Sequence, residues 1–177
     1  VSNFVVKGDS FFGARNSYGY FNNQEGIFPF TEGVVLSTWS STNSEGPFVT
    51  VLGDGSTLWT GDTDLEQAIG VSNTINATSL EFDFTALTDV ISFDYMFASN
   101  EYQRDYPCNY SDGFAFLIKE SGTSTYKNIA VLPGTTIPVS SQSIHPQINP
   151  FLGSSEPVRS CGPENELYFG GYNNATS

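Results

Sequence analysis

The sequence predicts an all-β fold: a jelly-roll-like sandwich with long loops and one short helix. Three observations point that way. Apolar and polar residues alternate with a period of two in several short runs, which puts one set of side chains on one face of a sheet. Aromatic residues make up 15% of the chain, and 17 glycines break it into short segments, a many-turned β composition. Only one run carries helix signals. With 177 residues the chain is long enough for one domain with a real core, and residues 1–177 read as a single β domain.

Taken in order, Ser2-Asn3-Phe4-Val5-Val6 opens the chain as a short strand, followed by a glycine- and aromatic-rich passage to Phe30. GVVLST at 33–38 reads as a buried strand ended by a polar run. Gly53, Gly55 and Gly61 mark a loop leading into TDLEQAIG, where Thr63 and Glu66 have capping-box spacing and Gly70 sits where a helix stops. LEFDF at 80–84 alternates cleanly. The centre of the chain is 90–120, read as two strands around an acidic, aromatic loop. Ile91, Phe93, Tyr95 and Phe97 alternate in the first strand, and Phe114, Phe116 and Ile118 in the second. These rings are expected to be core. YKNIAVL gives another strand and PGTTIPVS a short edge strand between prolines. From Ser141 the pattern dissolves into a long irregular segment.

Lys and Arg total 6 against 19 Asp and Glu, a formal charge of −13. That sign excludes a phosphate backbone or an anionic membrane surface as the natural partner and suits cations. No apolar run approaches the roughly 20 residues that span a bilayer. Val1 opens no signal-peptide pattern, so any targeting segment is expected to lie outside this sequence. Cys108 and Cys161 either pair or stay unrelated thiols. An acidic, lysine-poor β chain reads as exported, where thiols oxidise, so a disulfide pinning the irregular segment is expected. Closing that loop is worth about 4 kcal/mol on chain-entropy grounds.

Two pairs of carboxylates stand out. Asp62 and Asp64 lie at i and i+2 in a glycine-rich loop, where both can face one hard cation or simply favour the positive end of the helix. Glu101 and Asp112 sit at the two ends of the central loop. They either meet across its base, with a proton or metal between them, or belong to a solvated acidic face. Nothing favours a glycosidase acid–base pair. His145, the lone histidine, reads as a surface loop residue, and without a nucleophile elbow a Ser-His-Asp triad is not expected. Trp39 and Trp59 flank the 40–58 loop as core-edge residues or as a sugar-stacking platform. Asn76, Asn109 and Asn174 begin formal glycosylation sequons.

The order GVVLST, GDTDLEQAIG, LEFDF, ISFDYMFASNEY, a cysteine, YSDGFAFLI and NIAVLPGTTIPVS resembles the bacterial choice-of-anchor L domain over roughly residues 26–145. Such domains occur on secreted or surface-attached proteins and are similar to the peptide-binding domains of large RTX-type adhesins. The resemblance implies a calcium-stabilised adhesion domain of an exported, extracellular protein, not an enzyme, that binds peptide, protein or glycan ligands. It places the family's acidic positions on Asp62, Asp64, Glu101 and Asp112, the expected Ca2+ ligands. Asn100, Tyr102, Asp105, Asn109 and Trp59 are the residues expected to meet the ligand. Asn100 stands where the family often has a second glutamate. The family's closing strands are missing here. The domain is therefore expected to be truncated at its C-terminal end, its sheet completed by the remainder of the polypeptide or another chain. A carbohydrate-binding module and a purely structural display domain are the alternatives.

Overall fold

The computed structural model describes residues 1–9, 16–23, 26, 28–45, 56–153 and 157–172. Gly53, Gly55, Asn174 and positions 154–156 of the irregular segment lie outside them. The described strands form three separate two-stranded antiparallel sheets, with one α-helix and three short 3-10 turns and no barrel. The chain divides into two compact units, Val1–Asp62 with Asn73–Asp94, and Thr63–Ser72 with Tyr95–Ser177.

In the first unit β1 (Ser2–Lys7) pairs with β4 (Ser79–Asp83), and β2 (Tyr18–Asn22) with β3 (Glu32–Leu36). The β1–β4 register slips by one residue between Ser2 and Val5. Asn3 takes up the slip with φ +54°, a conformation asparagine tolerates better than most residues. Its side-chain amide then donates to Asp83 Oδ2 at 2.7 Å. On the second sheet Gly33 is required by a close approach, since a Cβ there would lie 2.8 Å from the Phe21 ring. The period-two pattern of 33–38 is real, but its expected burial is not. Val34 is 57% and Leu36 45% exposed, because the two-stranded sheet has no layer over that face among the described residues.

Trp59 is the best-buried large side chain of this unit, at 5% exposure, and its Nε1–H donates to the Ala77 carbonyl at 2.8 Å. Thr60 bridges Ile75 next to it. Gly61 passes so close to Thr74 that a Cβ would lie 2.2 Å from that residue's carbonyl oxygen. Only glycine fits, and Asp62 follows with its backbone N–H donating to Thr74 Oγ1 at 3.2 Å. Asn76, also in a left-handed conformation, is 4% exposed and hydrogen-bonds Ser56 through both ends of its amide.

The second unit contains the helix the sequence predicts. α1 runs Thr63–Ile69 and ends at Gly70, whose φ of +74° lets the Val71 N–H turn back to the Glu66 carbonyl at 3.1 Å. β5 (Leu117–Ile118) pairs with β6 (Lys127–Asn128). Beyond β6 a small hairpin turns at Gly134 and buries Ala130, Leu132 and Val139. Leu132, Val139 and Ile144 form the core cluster, with Phe97, Phe114 and Phe169 packed against it.

The central pair of strands differs from expectation. Residues 90–98 have strand periodicity but no ladder partner among the described residues. Phe93 and Tyr95 are 42% and 38% exposed, not core. Alternation sets which side chains share a face, whereas a strand also needs another backbone within hydrogen-bonding distance. The second-unit rings still find one another. Tyr95 lies 5.3 Å from Phe114 and 5.1 Å from Phe116, and Phe97 lies 5.6 Å from Phe114.

Leu132→Ala should therefore lower unfolding free energy by about 2–5 kcal/mol through transfer and cavity terms. Leu87, 94% exposed, should change it by less than about 0.5 kcal/mol on the same substitution. Denaturant midpoints of the two variants check the placement of the core, and equal midpoints would move it elsewhere.

Candidate functional site

Residues 99–112 leave the first aromatic run and return to the second through a chain of turns. Ser99 starts the loop by accepting the Glu101 N–H at 3.0 Å and donating its own hydroxyl to Asp112 Oδ2 at 3.0 Å. Asp112 answers with its backbone N–H to Glu101 Oε2 at 3.1 Å. The two carboxylates at the ends of the loop therefore do meet, as their positions in the chain predict. A third group arrives from far along the sequence. Ser141, fully buried, donates its hydroxyl to the same Glu101 oxygen at 2.5 Å. Gly113 follows directly and lies against Leu65 and Ile69 of α1, where a Cβ would come within 2.9 Å of Ile69 Cδ1.

Neither carboxylate has an ion-pair partner among the described residues. The one ion pair there is Lys7–Glu81, exposed and in the first unit. Burial, and then the neighbouring Asp112 charge, push the Glu101 carboxyl up to about 7 against the pull of its two hydrogen bonds. Burial also raises Asp112, with Ser99 opposing it. Tyr102 is pushed up to about 12 by burial and by Glu101. Next to the pair in sequence, Asn100 Oδ1 is buried with no hydrogen-bond partner among the described residues. The Tyr102 ring lies tilted against Phe169, and Phe169 meets Tyr172 edge to face, each pair of centroids 5.0 Å apart.

Asp64 is exposed on the first turn of α1 and lines a hollow of about 230 Å³ with Gln67, Ala68, Thr125, Tyr126 and Asn128. Asp62 belongs to the first unit. Among the described residues no three of His, Cys, Asp and Glu gather as a metal would require. Asp105 is fully buried, its Oδ2 accepting from Asn109 Nδ2 and from the Arg159 N–H, each at 3.2 Å. Asp105 thus ties the loop to the irregular segment, and Asn109, half-buried, braces Asp105 from within the loop. The burial of Trp59 likewise leaves its ring without a free face for a sugar.

The irregular segment is held as the cysteines suggest: Cys108 and Cys161 are joined. Backbone bridges at Ile148–Cys161 and His145–Glu164 fold the segment back on itself. His145 is not a surface residue. It is 2% exposed, enclosed where the segment folds back on itself. Ser141, Phe169 and the role of His145 carry no local signal, since each acquires its place through contacts with residues far away in sequence.

A family model for the choice-of-anchor L domain matches residues 1–177. The chain belongs to the choice-of-anchor L domain family. That membership points to a domain of a bacterial surface protein. No curated protein and no solved structure matches the chain significantly. No helix among the described residues is long and apolar enough to cross a membrane.

The carboxyl pair gives this choice-of-anchor L domain a definite pH dependence. Between an ordinary value of 4.5 and a folded-state value of about 7, the folded chain keeps a proton on Glu101 that the unfolded chain has released. The stability this contributes is present below about pH 4.5 and lost as pH rises through about 7. In the presence of a chelator, the melting temperature should fall across that window. Glu101→Gln should fall less steeply, and parallel curves would show that Glu101 does not titrate there.

Proposed function

We propose that this domain is a calcium-dependent ligand-binding module through which an exported bacterial surface protein adheres to peptide or protein ligands. The observation that carries the reading is the Glu101–Asp112 pair, two largely buried carboxylates side by side, neither with an ion-pair partner among the described residues. Burying like charges together is costly unless a proton or a metal neutralises them. The donor set fits a hard cation. It consists of carboxylate oxygens, with the unpartnered Asn100 Oδ1 adjacent in sequence, and has no free thiolate because both cysteines are bonded. Bound calcium would neutralise the pair and, taking 6–8 oxygens, leave positions for a ligand oxygen.

A second opening supports a peptide over a sugar. A hollow of about 450 Å³ lies between α1 and the 127–136 segment, lined by Ala68, Lys127, Asn128, Ile129, Val131, Thr135 and Thr136. One ammonium group, two hydroxyls and aliphatic walls are the groups that take up a peptide end. The glycan reading loses one of its two tryptophans to burial. The small sheets have edges without a partner among the described residues, which leaves room for strands from another segment or chain, in keeping with a jelly-roll arrangement of the completed domain.

Calcium at a hundredfold excess over its Kd should add about 2.7 kcal/mol of stability and raise the melting temperature by several degrees. Glu101→Gln should abolish most of that rise, and Asp89→Asn should leave it intact. A wild-type melting curve indifferent to calcium would remove the metal from the reading.

A further inference from the structure

We propose that Cys108–Cys161 is a redox-responsive disulfide in which Cys161, held against the bare Nε2 of buried His145, is the reactive sulfur. His145 Nδ1 lies 2.8 Å from the Pro146 carbonyl oxygen. A carbonyl only accepts, so Nδ1 carries a proton, and in the neutral ring Nε2 presents its lone pair. That lone pair faces Cys161 Sγ at 3.8 Å. In the disulfide the sulfur has no hydrogen to give. A buried acceptor is thus aimed at an atom that can satisfy it only after reduction.

The contact between His145 and Cys161 is set by bonds within the segment itself, whether or not the segment stays tied to the loop. The Ile148 N–H donates to the Cys161 carbonyl at 3.1 Å, and the Cys161 N–H returns to Ile148 at 3.3 Å. His145 and Glu164 exchange two more backbone hydrogen bonds, both 2.9 Å. Cys161 and His145 are therefore fixed side by side by backbone alone. Cys108 sits on the separate 3-10 turn Tyr106–Cys108 and has no imidazole beside it. The charged groups on the elements packed around the pair are Glu164 opposite His145, Arg159 on the Cys161 segment, and Asp105, which accepts the Arg159 N–H.

The co-reactant is a low-molecular-weight thiol. Its thiolate attacks Cys108 Sγ, the S–S bond breaks, and Cys161 leaves with the electron pair. A proton from solvent is shared between Cys161 Sγ and His145 Nε2. A second thiolate attacks the reductant's sulfur in the mixed disulfide, freeing Cys108, which takes the second proton. Two thiols are oxidised to one disulfide, and one protein disulfide is reduced to two thiols.

The test uses the full chain reduced with a phosphine and pulsed with iodoacetamide across about pH 6–9, with each cysteine followed by peptide mass spectrometry. A thiol paired with imidazole ionises below the ordinary range, so Cys161 should alkylate at least about tenfold faster than Cys108 near pH 6.5. Unfolding in urea should erase the preference, and His145→Gln should erase it in the folded protein. The Cys108→Ser variant supplies the Cys161 profile without a competing thiol and does not depend on His145→Gln folding. Equal rates, a slower Cys161, or an ordinary thiol profile for Cys161 in the folded protein would overturn the proposal.

Discussion

The covalent tie between Cys108 and Cys161 is the constraint on which the second unit depends. Among the described residues the segment after Ser141 contains no regular strand, and its own propensities give it no reason to settle in one place. Yet it delivers Ser141 to Glu101, His145 to the core and a backbone N–H to Asp105. A cross-link between distant positions removes much of the unfolded chain's freedom, worth about 4 kcal/mol for a loop of this length. With that entropy already removed, a few bridges suffice to hold the rest of the segment in register.

The same tie shapes the electrostatics. Glu101 is kept partly out of water by Ser141 above it and by the Asp112 backbone beside it. Hydrogen bonds to a charged group contribute about 1.5–3 kcal/mol each, and here they oppose desolvation and repulsion. Both carboxyls nevertheless remain raised, so burial and repulsion outweigh the donors. A site poised this way holds a proton readily and would give it up to a cation. That is the physical link between the fold and the proposed adhesive function.

The first unit distributes its apolar surface differently. Phe4 and Phe82 face each other at 5.9 Å across the β1–β4 pair, yet Phe4 is 64% exposed. Two strands alone cannot enclose a ring, because a sheet hides side chains only against a second layer. Trp59 is enclosed because Thr60 and Ile75 bridge beside it and Ala77 accepts its indole N–H.

Local chemistry was legible in the sequence. The helix Thr63–Ile69 and its glycine stop, the strands around 2–6, 33–36 and 80–83, and the family motifs all follow from spacing over a few residues. The approach of Glu101 to Asp112 was also legible, because the two ends of one loop are close whatever lies between them. Burial was not. Val34 and Phe93 alternate like core residues and are exposed, while His145 and Asp105 look like loop residues and are buried. Periodicity fixes which side of the backbone a residue occupies. What lies on that side depends on segments a hundred residues away or on other chains, and only the tertiary structure decides it.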